Sequence, residues 1–134
     1  MDRVLVDTSV WIDFFRKKEP CYSAVSELME TDSICCVGIV FAELLQGAKS
    51  DKELGTIREF LHVFEFLPET THCWASAGEL AFHLQRKGRP AGLSDCYIAA
   101  AAEAAGASLF TLDKHFQSIQ KETRLVLYEP SKRR

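Results

Sequence analysis

Short apolar runs alternate with longer amphipathic segments along the whole chain, and that alternation confines it to one class of fold. The runs at about 3–7, 33–37, 64–68, 108–112 and 124–128 have the length and the β-branched or aromatic content of buried strands. Apolar residues at helical spacing mark segments of about 9–17, 20–31, 38–46, 51–62, 71–87 and 94–105, with a short turn at about 113–119. Strands joined by helices predict an α/β fold with a mainly parallel sheet covered on both faces. Breaks fall at Lys17-Lys18-Glu19-Pro20 and at Gly88-Arg89-Pro90-Ala91-Gly92, but no repeat or linker divides the 134 residues, so 1–134 reads as a single domain, with its tail from about 129 loosely held.

A content of 47% hydrophobic and 26% charged residues supports a packed core and excludes a disordered chain. The five cysteines, Cys21, Cys35, Cys36, Cys73 and Cys96, are odd in number, lack C-x-x-C spacing and mostly sit in apolar runs, as reduced core thiols do. No apolar run is long enough to span a bilayer and no signal region opens the chain, so a soluble cytoplasmic protein with no membrane partner is expected. The net charge of -3 does not exclude a nucleic-acid partner: setting four of the 19 acids aside for a metal leaves 15 against 16 basic groups.

Chemistry is expected where the strand ends collect, because ligands of open parallel sheets bind beyond the carboxyl ends of the strands. Val4-Leu5-Val6 runs straight into Asp7, Asp113 follows the strand at 108–112, and Asp95 opens the alanine-rich helix. Glu43 lies on the helix after the second strand. Singly, each has an ordinary explanation: Asp7 and Asp113 as helix caps, Glu43 on a solvated face. Asp95 is harder to explain that way, since it shares a helix face with Ile98 and Ala102 while Ser94 is available as the cap. Together, several carboxylates on one apolar-walled rim would repel unless a cation sat among them, and all-oxygen ligation suits Mg²⁺ or Mn²⁺. A cation held in that way clamps a phosphodiester for attack by water, which points to hydrolysis of a nucleic-acid backbone.

Asp7-Thr8-Ser9 after the opening strand, Glu43 in Glu-Leu-Leu-Gln-Gly, Ser94-Asp95-Cys96-Tyr97-Ile98-Ala99-Ala100 and Thr111-Leu112-Asp113-Lys114-His115-Phe116 together resemble the PIN domain, and more narrowly the VapC toxins of type II toxin-antitoxin pairs. The resemblance spans nearly the whole chain in the family's motif order. It implies a three-layer α/β/α fold around a five-stranded parallel sheet and a Mg²⁺- or Mn²⁺-dependent endoribonuclease acting on single-stranded or loop regions of RNA. It also implies that Asp7, Glu43, Asp95 and Asp113 form the acidic metal site, with Asp7 and Asp95 the most direct ligands. Thr8 or Ser9, and Thr111, match the hydroxyl positions that tie the carboxylates in place. A homodimer and a cognate VapB-like antitoxin that inserts a peptide into the groove are implied as partners. The alternatives within this resemblance are an RNA-processing nuclease without a toxin role and a catalytically silent scaffold for RNA or antitoxin. Outside it, a phosphatase or receiver using Asp7 as phosphoacceptor competes, but Ser9 stands where such a phosphatase needs a second Asp.

Substrate contacts need positive charge near the rim. The candidates are Arg86, Lys87 and Arg89 around the loop before Asp95, with Arg16-Lys17-Lys18 and Lys132-Arg133-Arg134 as weaker ones. Trp11 and Phe15 could stack on bases, although core packing is the commoner fate of such residues. His62, His72, His83 and His115 show no metal-ligand spacing; only His115, two residues past Asp113, is placed to matter.

Overall fold

The computed structural model describes residues 2–130, so the basic cluster Lys132-Arg133-Arg134 lies outside the described residues. Its sheet is built on β1 (Val4–Val6), which is buried along its whole length because neighbours flank it on both sides. β2 (Ile34–Cys36) pairs with β1 in parallel with Val4 opposite Ile34, and β4 (Ser108–Phe110) pairs on the other side with Leu5 opposite Leu109. β3 (Glu65–Phe66) adds in parallel to β2, giving the order β3-β2-β1-β4. Both residues of β3 are exposed, and Arg3 reaches across to Glu65 at 2.8 Å, a charge pair that blunts this sheet edge.

Seven helices carry the connections among the described residues: α1 (Thr8–Phe15), α2 (Cys21–Glu30), α3 (Gly38–Gln46), α4 (Asp51–Leu61), α5 (Thr71–Arg86), α6 (Leu93–Ala105) and α7 (His115–Gln120). They pack in two groups, α1 with α2 and α3, and α3 with α4; then α5 with α6, and α6 with α7 and β4. The result is a parallel sheet flanked by helices, with β1, β2 and β4 buried as strands covered on both faces must be. Gly106 closes α6 with φ of 67° and lets the chain turn at once into β4, a conformation that costs a residue with a Cβ. No helix among the described residues is long and apolar enough to cross a membrane.

Two expectations need correction. The run 124–128 does not form a fifth strand: it makes one parallel bridge, Leu127 to Leu109, through Leu109 N donating to Val126 O at 2.8 Å and Tyr128 N to Leu109 O at 2.7 Å. Side chains take the amides before it, Arg124 N donating to Glu103 Oε2 and Leu125 N to Thr123 Oγ1, and Pro130 beyond it has no N–H, so the ladder stops. The second correction is at α6, where Gly92 and not Ser94 occupies the N-cap position and the helix begins at Leu93.

Trp11 is fully buried, within 6.0 Å of Phe14, Phe15, Phe60 and Phe64 by ring centroid, so α1 is fixed to α4 by an aromatic cluster and Trp11 is not free to stack on a base. All five cysteines are buried and free; burial pushes Cys35 up to about 11 and Cys36 up to about 12, which keeps them protonated and unreactive. Tyr97, stacked on Trp74 at 3.9 Å, buries a hydroxyl with no hydrogen-bond partner among the described residues. Tyr97→Phe removes that unpaired group and is expected to raise the unfolding free energy by about 1 kcal/mol. Urea denaturation checks this, and a loss of similar size would show that the hydroxyl is hydrogen-bonded after all.

Candidate active site

Strand order reverses at β1, with β2 on one side and β4 on the other, and the crevice of such a sheet opens at the carboxyl ends of β1 and β4. Asp7 stands there. Its amide donates to Phe110 O at 2.9 Å, and its carbonyl accepts from Val10 and Trp11 at 3.1 Å, so the backbone at Asp7 joins strand, helix and neighbouring strand. Asp7 holds the N-cap position of α1, yet its side chain makes no capping bond. Instead Oδ2 accepts from Ser9 Oγ at 3.0 Å and from Thr111 Oγ1 at 2.7 Å, leaving Oδ1 without a partner among the described residues. With only 6% of its surface exposed, this carboxylate is held away from bulk water and bonded by two hydroxyls.

Those hydroxyls also accept. Leu112 N donates to Ser9 Oγ and Asp113 N to Thr111 Oγ1, each at 3.0 Å, so the loop after β4 is bonded onto the start of α1 through the same two side chains that hold Asp7. Thr8 serves a different acid, donating to Glu43 Oε1 at 2.7 Å and so linking α1 to α3. Asp113 Oδ1 accepts from His115 N at 2.9 Å and lies 3.0 Å from His115 Nδ1, while Lys114 and not Asp113 occupies the N-cap position of α7.

Asp95 lies in the first turn of α6. Its carboxyl is pushed up to about 6, first by burial and then by the negative charges of Asp7, Asp113 and Glu43, with His115 offsetting part of the rise. Three acids from three other elements therefore act electrostatically on Asp95. Among the described residues no three His, Cys, Asp or Glu side chains stand ready to hold a metal ion. Each of the other acids is held by a neighbour: Asp7 by Ser9 and Thr111, Glu43 by Thr8 and Asp113 by His115. Donor chemistry and charge fit a hard divalent cation: all-oxygen donors from separate elements converge electrostatically on half-buried Asp95.

The structure does not bring the loop cations to these acids. Lys87 Nζ pairs with Glu122 Oε1 at 2.5 Å, Arg89 pairs with the other oxygen of Glu122, and Arg86 lies over the Phe82 ring at 5.3 Å. Glu122 thereby ties the loop before α6 to the segment after α7. The sequence carried no signal for this, since Glu122 is a single acid in a polar turn.

A family model described as PIN domain matches residues 4–122. No curated protein matches the sequence. Among solved structures, the chain is similar to VapBC2 from Rickettsia felis bound to a DNA fragment from its promoter, at 26% identity over 93% of this chain and 96% of that one with a TM-score of 0.77. It is also similar to DNA-bound VapBC from Salmonella typhimurium, at 26% identity over 96% and 98% of the two chains with a TM-score of 0.80. VapC20 of Mycobacterium tuberculosis, a toxin that cleaves the sarcin-ricin loop, has the same fold at 16% identity over 86% and 93% of the chains, with a TM-score of 0.64. The structural neighbours are thus VapC toxins of VapBC toxin-antitoxin complexes.

Proposed function

This chain belongs to the PIN domain family, and on that premise we propose that it is a divalent-metal-dependent endoribonuclease, cutting RNA in single-stranded or loop regions as the toxin half of a VapBC-type pair. The observation that carries the reading is Asp95, a half-buried acid raised to about 6 by its surroundings and by three further carboxylates. Carboxylates gathered at a cost to folding are what a site built to hold a cation requires.

Asp7 and Asp95 would be the most direct ligands, with Glu43 and Asp113 completing the set. When bound, Mg²⁺ or Mn²⁺ neutralises charge developing on the phosphate and makes water acidic enough to attack near neutral pH. The chain's own residues do the positioning. Ser9 and Thr111 fix Asp7 through Oδ2 so that Oδ1 stays available, and Thr8 aims Glu43 in the same way. Asp113 is the acid best placed to move a proton: its Oδ1 faces Nδ1 of His115, a side chain 83% exposed, which can hand the proton to solvent. Loops of RNA are the expected targets, because a shallow rim reaches unstacked nucleotides and not the inside of a duplex. A VapB-like antitoxin belongs to the same reading, by similarity to the Rickettsia and Salmonella VapBC assemblies, and a homodimer is the further partner that the family resemblance implies.

Purified protein incubated at pH 7 with a panel of structured RNAs in Mg²⁺ or Mn²⁺ should cut at discrete loop positions, and EDTA should stop it. Intact RNA throughout the panel in both metals would overturn the nuclease reading.

A further inference from the structure

Trp74 is held in place by Tyr97: the two rings stack with 3.9 Å between centroids and 25° between planes, Tyr97 is fully buried, and 40% of Trp74 remains exposed. One face of the indole is thus fixed while the ring still meets solvent. Glu69 lies just before Thr70, the N-cap of the helix that carries Trp74. Its side chain is exposed and makes no hydrogen bond or ion pair among the described residues. Its Oε2 occupies the space beside Gly38, where a Cβ would come within 2.5 Å of it. We propose that Glu69 and Trp74 form a base-reading site that takes one unpaired guanine of the RNA, a proposal that rests on the nuclease reading above.

The site shares its supports with the cleavage acids. Gly38 follows β2 and Glu69 follows β3, so both stand at the carboxyl ends of strands. α3 carries Gly38 five residues before Glu43, about 7.5 Å along the helix, and α6 carries Tyr97 two residues after Asp95. Tyr97 holds a hydroxyl that no described residue bonds, and burial first and then the charge of Glu69 keep its phenol above the ordinary value. The carboxylate and the phenol are therefore neighbours, which joins Glu69 to the ring stacked on Tyr97.

Chemistry selects the occupant. An exposed aromatic ring stacks with any base, so the carboxylate sets the choice. Its two oxygens accept from two N–H groups lying side by side. Guanine offers such a pair at N1 and N2, whereas adenine and cytosine offer one amino group beside an acceptor nitrogen, and uracil offers one N–H between two carbonyls. A guanidinium also suits an acid near an indole, but the helices that hold this site also hold Glu43 and Asp95, which favours the nucleic acid over a basic peptide.

The test is quenching of Trp74 fluorescence by the monophosphates of guanosine, adenosine, cytidine and uridine. All four share sugar and phosphate, so differences among them read the base. The guanine nucleotide should bind about tenfold or more tightly than the others, and Glu69→Gln should bring all four within about threefold. Gly38→Ala is the independent variant. Its Cβ displaces only the far end of the Glu69 side chain, and alanine is the better helix former, so it should also lose the guanine preference while melting no lower than wild type. Equal binding of all four to wild type, a preference that both variants keep, or quenching that persists in Trp74→Phe overturns the site. No quenching at all overturns it too, and is the result expected if a basic peptide or a second copy of the chain covers Trp74. RNA cutting in Mg²⁺ separates the two readings: cutting without guanine preference leaves the nuclease and removes the site, and guanine binding without cutting does the reverse.

Discussion

Asp95→Asn is expected to stabilise the metal-free protein and to cost it at least about a hundredfold in RNA cleavage, two effects of opposite sign from one atom exchange. In the folded chain the Asp95 carboxyl sits at about 6 against an ordinary value of 3.8, first because it is buried and then because Asp7, Asp113 and Glu43 repel its charge. The folded state therefore holds this proton more tightly than the unfolded state does. Between about pH 4 and pH 6 the native chain binds more protons, so stability falls as pH rises through that window and levels off above it. Asparagine has no charge to repel and removes the slope. Discounted for solvent screening of a partly exposed group, the gain at pH 7 is about 1–2 kcal/mol. Thermal or urea unfolding in EDTA from pH 4 to pH 8, for both proteins, measures it. Equal slopes would mean that neither burial nor the other acids raise Asp95 on folding.

Thr111→Val is the second large effect, and it acts through a residue that is not proposed to touch substrate. The hydroxyl donates to Asp7 Oδ2 at 2.7 Å and accepts from Asp113 N at 3.0 Å, so one oxygen holds two of the four acids. Valine keeps the shape and loses both bonds, leaving the Asp113 amide and the buried Asp7 carboxylate short of a partner. The expected cost is about 1–3 kcal/mol of stability and about 10–100-fold in metal affinity. Thr111→Ser keeps the hydroxyl and should recover most of both. A valine variant as stable as wild type, with unchanged metal affinity, would show that Ser9, 3.5 Å from Thr111 Oγ1, carries the network alone.

The fold was readable wherever one segment decides its own state. Val4-Leu5-Val6 is apolar on both faces and becomes the central strand, and the helices from α1 to α7 fall close to their apolar spacing. It was not readable where a distant residue competes. The run 124–128 has strand composition, but Glu103, more than twenty residues earlier, takes the Arg124 amide. Lys87 and Arg89 look like free cations beside a loop until Glu122, over thirty residues on, captures both. Asp7 could be placed in sequence, but its two hydroxyl donors come from both ends of the chain, Ser9 beside it and Thr111 over a hundred residues away. Local pattern sets elements, and pairing across the fold sets which charges remain free.

Whether Asp7, Glu43, Asp95 and Asp113 jointly hold a divalent cation is measured without any substrate by calorimetric titration of Mn²⁺ at pH 7 into the wild-type chain and Asp95→Asn. Saturable binding to wild type, weakened tenfold or more by the asparagine, is the predicted result; no binding, or binding that the substitution leaves unchanged, would contradict it.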